Sequence, residues 1–476
     1  MKRIYFTLTT IACTVALLLH SMPISSQTVN SLYFLEKTPF HTKWNPAMAP
    51  SRSGIGGPFS SFGITFRSDL VFSDVFYPSA DGNSLLSILH PDLPQSDKDA
   101  FLTKMGDAAN FGVNTNLDFF NIGLKLGGAY FTLGSSMSTD IGMGLPKDFF
   151  ELFLNGTGSG ASNTLNMAAL NINAMSYLKT GVGLSLKVGN KLTVGGTVNY
   201  LMGIADMRLG FDKFNINTSN TSWEIETQGN LRVIAPDFVQ LKYNADGYLD
   251  FENVGEMVDD SYFSSFASNI QSDFKGTLPT AGTGLSVDLG VTFKPMNFLT
   301  VSAAVLDYGS IKWKPENINQ ATSNSTFTYN GSDLSGDSNS DFSSQLVDMM
   351  HLEKVANPEA YSSKLTTKIN LGAELGLLPK NRISLGVLSQ TGIAENGNYQ
   401  DFMFSANLKP ISLIQTALTY SMLHGGMSAI GAALNIKLLF LNIYAAADYI
   451  PMKVTPQYIP INNGYFNFQT GFNLMF

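Results

Sequence analysis

The chain has 476 residues, a formal net charge of −8, 14% charged and 12% aromatic residues, and 43 glycines. Its charge content is well short of the roughly 25% of soluble domains, and its acidic balance argues against nucleic acid as a partner. The single cysteine, Cys13, excludes a disulfide-stapled scaffold, and no segment beyond the first residues holds the ~18 consecutive apolar residues of a membrane helix.

Lys2 and Arg3, the apolar stretch Ile4–Leu19 and the polar stretch Ser21–Ser26 have the three-part layout of a secretory signal peptide. It is expected to span 1–26 and to be cut before Gln27, which takes the net charge to about −10 and removes Cys13. The apolar core is shorter than the roughly 20 residues of a spanning anchor. Cys13 lies inside that core and not at its end, so lipidation is not expected. Residues 27–58 lack a strand pattern. They carry Phe34, Phe40, Trp44 and the run Asn45-Pro46-Ala47, and a segment this apolar is expected to tuck into a lumen as a plug.

Residues 59–476 read as strands. The first are near 60–68, 111–126, 128–139 and 166–188. Val182, Leu184, Leu186 and Val188 alternate with Gly183, Ser185 and Lys187, and Gly189-Asn190 turns the chain toward Leu192, Val194, Val198 and Tyr200. The same period-2 pattern holds for Leu285, Val287, Leu289, Val291 and Phe293, with a turn at Pro295-Met296-Asn297. It returns in Ile369, Leu371, Ala373 and Leu375, with a turn at Pro379-Lys380-Asn381. Such runs between Asn-, Gly- and Pro-bearing turns are hairpin signals. A meander occupies about 400–409, 412–423, 427–438, 440–450 and 464–476. The last strand, YFNFQTGFNLMF, sets Phe466, Phe468, Phe472, Leu474 and Phe476 on one face and Asn467, Gln469 and Asn473 on the other.

This layout predicts an all-β fold: a membrane-spanning antiparallel β-barrel of about 14 strands, an even number as such barrels require. Alternating the strands puts the turns at Gly127-Gly128, Gly189-Asn190, 295–297, 379–381, Lys409-Pro410 and Phe440 on one side. The long connections 68–110, 140–165, 209–283 and 314–363 fall on the other. Short periplasmic turns and long extracellular loops are the asymmetry of outer-membrane barrels, and a soluble sandwich has no reason to sort its loops. Lys125, Lys187, Asp288, Glu374 and Asp448 fall on the inner face, since a charge facing lipid costs about 2–4 kcal/mol at the midplane. Phe476 then ends in the periplasm, where it is expected to act as the assembly signal for the barrel insertion machinery. Short helices are expected in the outer loops: from a Ser96 cap to Lys104, over Pro146–Leu154 stopping at Asn155-Gly156, and over Phe342–Val355.

Chemistry is sparse. His41, His90, His351 and His424 form no ligand spacing. Asp333, Asp337 and Asp341 do not have EF-hand spacing. GTGSG at 156–160 lacks the context and lysine of a phosphate loop, and no nucleophile elbow is present. No catalytic residue, metal or cofactor is expected, and no ligand-binding residue is recognisable.

The export signal, Asn45-Pro46-Ala47 ahead of the first strand, the fourteen inferred strands and the terminal Phe476 resemble the FadL-like outer-membrane proteins. LPKDFFELFLNG (Leu145–Gly156), VLDYGSIKWKP (Val305–Pro315) and Gln27 after the cleavage site are similar to a Bacteroidota branch, related to PorV-like barrels of protein secretion. The likeness covers nearly the whole chain. It implies a monomeric barrel in the outer-membrane lipid, plugged by its N-terminal segment. In better-known members, hydrophobic molecules bind near the outer side and leave laterally through a gap in the wall. No binding residue carries over beyond Asn45, Pro46 and Ala47 in the plug. Two functions are therefore expected in order: passive uptake of hydrophobic or amphipathic small molecules, or a non-transporting partner or shuttle barrel of a secretion or surface assembly.

Overall fold

A computed structural model describes residues 31–35, 38–79, 84–156, 164–219, 222–236, 241–244, 247–249, 280–329, 349–395, 397–411, 413–448 and 464–476. The expected signal peptide, the Asp333–Asp341 loop and most of 156–160 lie outside these residues. The first strands are β1 (Gly54–Gly56), β2 (Ser61–Ser68), β3 (Phe76–Pro78), β4 (Leu85–Ser87), β5 (Ala108–Leu126) and β6 (Ala129–Pro146). Next come β7 (Thr164–Asn166), β8 (Asn171–Val188), β9 (Leu192–Thr218), β10 (Trp223–Ile234), β11 (Gly282–Met296) and β12 (Leu299–Trp313). After them are β13 (Ile318–Tyr329), β14 (Glu353–Lys354), β15 (Ser362–Lys364), β16 (Thr367–Gly376) and β17 (Ile383–Ile393). The chain ends with β18 (Tyr399–Ile411), β19 (Ile414–Met422), β20 (Ser428–Leu438), β21 (Leu441–Ala447) and β22 (Tyr465–Met475).

The wall runs β2, β5, β6, β8, β9, β11, β12, β16 and on through β22, each antiparallel to the next. β22 pairs with β21 on one side and with β2 and β1 on the other, closing a barrel of fourteen strands. Closure leaves no unpaired edge, as lipid demands. The burial is inverted relative to a soluble sheet. In β22, Phe466, Phe472 and Leu474 are 38–42% exposed, whereas Asn467, Gln469 and Asn473 are buried. An apolar exterior around a polar interior identifies the solvent of the wall as lipid.

The turns between paired wall strands gather at one end, hereafter the turn end. Gly127 (φ 57°) and Gly189 (φ 63°) take left-handed turn conformations there. The opposite, loop end carries α1 (Phe72–Val75), α2 (Gln95–Lys104) and α3 (Lys147–Asn155). α3 starts after Pro146 and stops at Gly156 (φ 64°), as its sequence frame predicts. α2 starts one residue before the expected Ser96 cap, because Pro94 (φ −56°) already sets the entry to its first turn.

Several expectations are corrected. The segment 27–58 holds a strand after all: β1 joins the wall and is separated from β2 by a turn at which Ser60 N bonds Gly57 O at 3.1 Å. The strand expected over 166–188 is interrupted at 167–170, where Leu170 N bonds Met167 O at 2.9 Å; β8 runs from Asn171, and β7 continues its register along β9. The turn expected at Lys409-Pro410 comes later, since β18 continues to Ile411. Of the helix expected over 342–355, residues 342–348 lie outside the described residues; the rest contains β14, paired to Ala321 and Thr322. Met349, Met350 and Leu352 are buried without a helix, in the core of a β-platform. That platform is the outer half of β9 with β10 and β13, standing beyond the wall.

Candidate functional site in the lumen

The lumen is layered. Nearest the turn end lie residues 31–35 and 38–48, in contact with inward-facing side chains around the barrel. Asn45 is fully buried; its Nδ2 donates to Val291 O (3.3 Å) and Ala303 O (3.1 Å), and its Oδ1 accepts from Ala47 N (2.9 Å). The Pro46–Ala47 peptide lies on Gly195, where a Cβ would stand 2.4 Å from Pro46 C and O. Asn45 lies likewise on Gly290, and Phe34 on Gly386. Glycine thus lets the backbone of the segment approach the wall at β9, and its side chains at β11 and β17. Asn370 Nδ2 donates to Trp44 O at 3.1 Å, Ser31 bonds Asp448, and Lys43 pairs with Asp118. Within the segment Phe40 and Trp44 pack edge to face, with ring centres 4.7 Å apart.

Above Phe40 and Trp44 is a cavity of about 130 Å³. Its charged lining is Lys43, Asp118, Lys179, Asp307 and Lys368. Asp307 accepts from Lys179 Nζ (2.6 Å) and Lys368 Nζ (3.0 Å), tying β8, β12 and β16 together across the lumen. It sits at a bulge of β12 with φ 57°, and its N–H donates to Asp288 Oδ1 at 2.6 Å. Asp288 also accepts from Asn199 Nδ2 at 2.9 Å. Buried charges persist only when paired and hydrogen-bonded in this way.

At the loop end the lining turns apolar. Tyr177, Leu201, Ile311 and Trp313 are buried in one cluster with Met175 and Ile234. The Trp313 ring covers Gly203 and Gly282, where an added Cβ would meet it at 2.5 and 2.7 Å. Trp313 Nε1 donates to Ser363 Oγ (2.8 Å), and Ser363 Oγ donates to Asp206 Oδ2 (2.8 Å). A second buried polar group, Arg67 and Asp401 about His424, ties β2 to β18 and the β19–β20 turn. In the platform, beyond the wall, Lys213 Nζ holds Glu226 Oε2 at 2.6 Å, and that hydrogen bond keeps the Glu226 carboxyl below its ordinary value.

Of the residues singled out in the sequence, Asn45, Pro46 and Ala47 therefore lie together on β9 and β11. Phe476 lies at the turn end, largely exposed, with its N–H donating to Ser53 O at 3.0 Å. Asp288, Glu374 and Asp448 line the interior as expected; Glu374 pairs with Lys409 at 3.3 Å. The charged layer of Lys43, Asp118, Lys179, Asp307 and Lys368 was not singled out. Its signal was available, because a charge inside an alternating run has only the lumen to face.

A closed fourteen-strand antiparallel barrel with an apolar exterior defines a transmembrane β-barrel of outer-membrane type. The chain belongs to a family of unknown function (DUF5723), whose model matches residues 46–448. No curated protein matches it. Among solved structures it is similar to the Ralstonia pickettii toluene transporter TbuX, at 10% identity and a TM-score of 0.42 over 96% of this chain and 99% of that one. A Pseudomonas aeruginosa FadL homologue matches at 11% identity and 0.41, covering 95% and 99%. The Pseudomonas putida toluene transporter TodX matches at 10% and 0.36, covering 96% of each.

Proposed function

We propose that the barrel takes up hydrophobic or amphipathic small molecules across an outer membrane, with its loop end outside and its turn end in the periplasm. The observation that carries the reading is the change of lumen lining. Tyr177, Leu201, Ile311 and Trp313 pack as an apolar layer toward the loop end, and Tyr177 also lines the charged cavity beneath it. An apolar molecule is held in the first and repelled by the second. It therefore does not descend, and the reading requires the wall to open sideways above the charged layer. In this reading residues 31–35 and 38–48 are the plug, docked through Asn45, Pro46 and Ala47. Phe476 is the assembly signal, no residue is catalytic, and the protein acts as a monomer. The test is binding of a fatty acid or an aromatic hydrocarbon to the purified protein, read by Trp fluorescence in the wild type and in Trp313→Phe. Saturable binding weakened by the variant is expected; no binding of either class refutes the reading.

One feature favours a second reading, a non-transporting partner barrel. The platform of β9, β10 and β13 carries a hydrophobic core of its own beyond the wall, which suits docking of another protein above a filled lumen. Stable co-purification of a partner that is lost on replacing β10 and β13, but not the wall strands β11 and β12 between them, by short loops, with no ligand binding, would select it.

A further inference from the structure

Two lysines near the loop end do not follow the inward-facing charges described above. The register places Tyr200, Leu285, Ser310 and Lys364 on one rung across β9, β11, β12 and β15, and Met202, Thr283, Lys312 and Ser362 on the next. Residues directly opposite share a face of the sheet. Leu285 is 61% and Tyr200 48% exposed, so this is the lipid face; Tyr308, one step below Ser310 on it, is 71% exposed. Lys312 and Lys364 thus stand outward, diagonally adjacent and both exposed. Neither ammonium has an ion-pair partner among the described residues. The nearby Glu395 is engaged by Arg208 (3.6 Å) and by the Lys364 backbone N–H (3.2 Å).

Their height decides what they meet. β12 has 15 residues; at ~3.3 Å per residue and a tilt of about 40° it rises roughly 38 Å, beyond an apolar band of about 25 Å. Lys312 lies at its far end. A lysine on the lipid face at that level costs little, and it meets headgroups, not acyl chains. The hydroxyls of Thr283, Ser310 and Ser362 flank the two ammonium groups.

We propose that Lys312 and Lys364 form a binding site for the phosphate of an anionic lipid in the leaflet at the loop end, with Tyr308, Leu285 and Tyr200 against its acyl chains. Two lysines on one face match the two charges of a phosphate monoester. The exposed apolar residues beneath select a lipid over free phosphate. The test is native mass spectrometry of the full chain released from mixed micelles holding dioleoyl phosphatidic acid or dioleoyl phosphatidylcholine. The wild type is expected to retain phosphatidic acid selectively. The double variant Lys312→Gln/Lys364→Gln is expected to retain it roughly thirty-fold more weakly, from two surface lysines, with an unchanged heat-modifiable gel shift to report folding. Lys187→Gln/Lys191→Gln at the turn end is expected to leave retention unchanged, and millimolar inorganic phosphate is expected not to compete. Equal retention of both lipids, full retention in the double variant, equal loss in the turn-end pair, or displacement by inorganic phosphate each overturns the proposal.

Discussion

One methyl group on Gly195 tests how the N-terminal segment is held. In Gly195→Ala the new Cβ would lie 2.4 Å from Pro46 C and O and 2.7 Å from Ala47 N. Ordinary contact begins near 3.4 Å, so the segment must retreat by about 1 Å. That retreat loses the two hydrogen bonds of Asn45 Nδ2, worth about 0.5–1.5 kcal/mol each, and adds overpacking of about 1–3 kcal/mol. The combined loss is about 3 kcal/mol, and it falls on the segment, not on the wall, whose ladder is untouched. Hydrogen exchange of the amides of 38–48 should then speed up roughly a hundred-fold, with exchange of β17 to β20 unchanged. The control is Gly196→Ala, one residue away on the lipid face, where the nearest atom is Leu289 Cδ2 at 3.4 Å. Equal exchange in the two variants would refute docking of the segment on Gly195.

Asp307→Asn should cost about 2 kcal/mol of unfolding free energy in guanidinium, below the ~3–5 kcal/mol of a fully buried broken pair because Lys179 (18%) and Lys368 (21%) are partly exposed; a shift under ~0.5 kcal/mol would mean that the Lys179–Asp307–Lys368 triad carries no stability. Ser363→Ala removes the acceptor of Trp313 Nε1 and the donor to buried Asp206, and should cost about 1–3 kcal/mol in the same assay; a smaller loss than for Ser362→Ala on the outer face would contradict that placement. Glu226 has a lowered folded value held by Lys213, so its stabilising contribution is present above the ordinary carboxylate value and is lost as pH falls through the lower folded one. An NMR titration should show Glu226 moving up on Lys213→Met, and an unmoved midpoint would count against that bond. Deleting Phe476 should lower the yield of barrel in the outer membrane while leaving the unfolding midpoint of refolded protein unchanged; unchanged yield would remove its assembly role.

Most of the wall was legible because lipid enforces a strict rule. One side of each strand must be apolar, so the alternation in 182–200, 285–293 and 464–476 gave both the strands and their facing. The same rule sent Asp288, Glu374 and Asp448 inward. The hidden parts depend on contacts distant in sequence. β1 is three residues with two glycines, too short to show a period, and it is a strand only because β22 and β5 flank it. The apolar spacing of Leu346, Met349, Met350 and Leu352 suits a helix, yet packing on the platform sets the described part as irregular chain and a short strand. Bulges such as the one at Asp307 shift the facing of the residues after them, which is how Lys312 comes to face outward. Asn45-Pro46-Ala47 stood out as a run of three residues; the glycines on which it packs, Gly195 and Gly290, did not, because a glycine in a strand does not reveal what approaches it.

Uptake and conductance measured on the same proteoliposomes test the central claim most directly. A barrel that works as proposed, with its apolar layer above a charged lumen, should accumulate a fatty acid or aromatic hydrocarbon saturably while passing no steady ion current. Steady ion current through the wild-type barrel, with no saturable uptake of either compound, would contradict it.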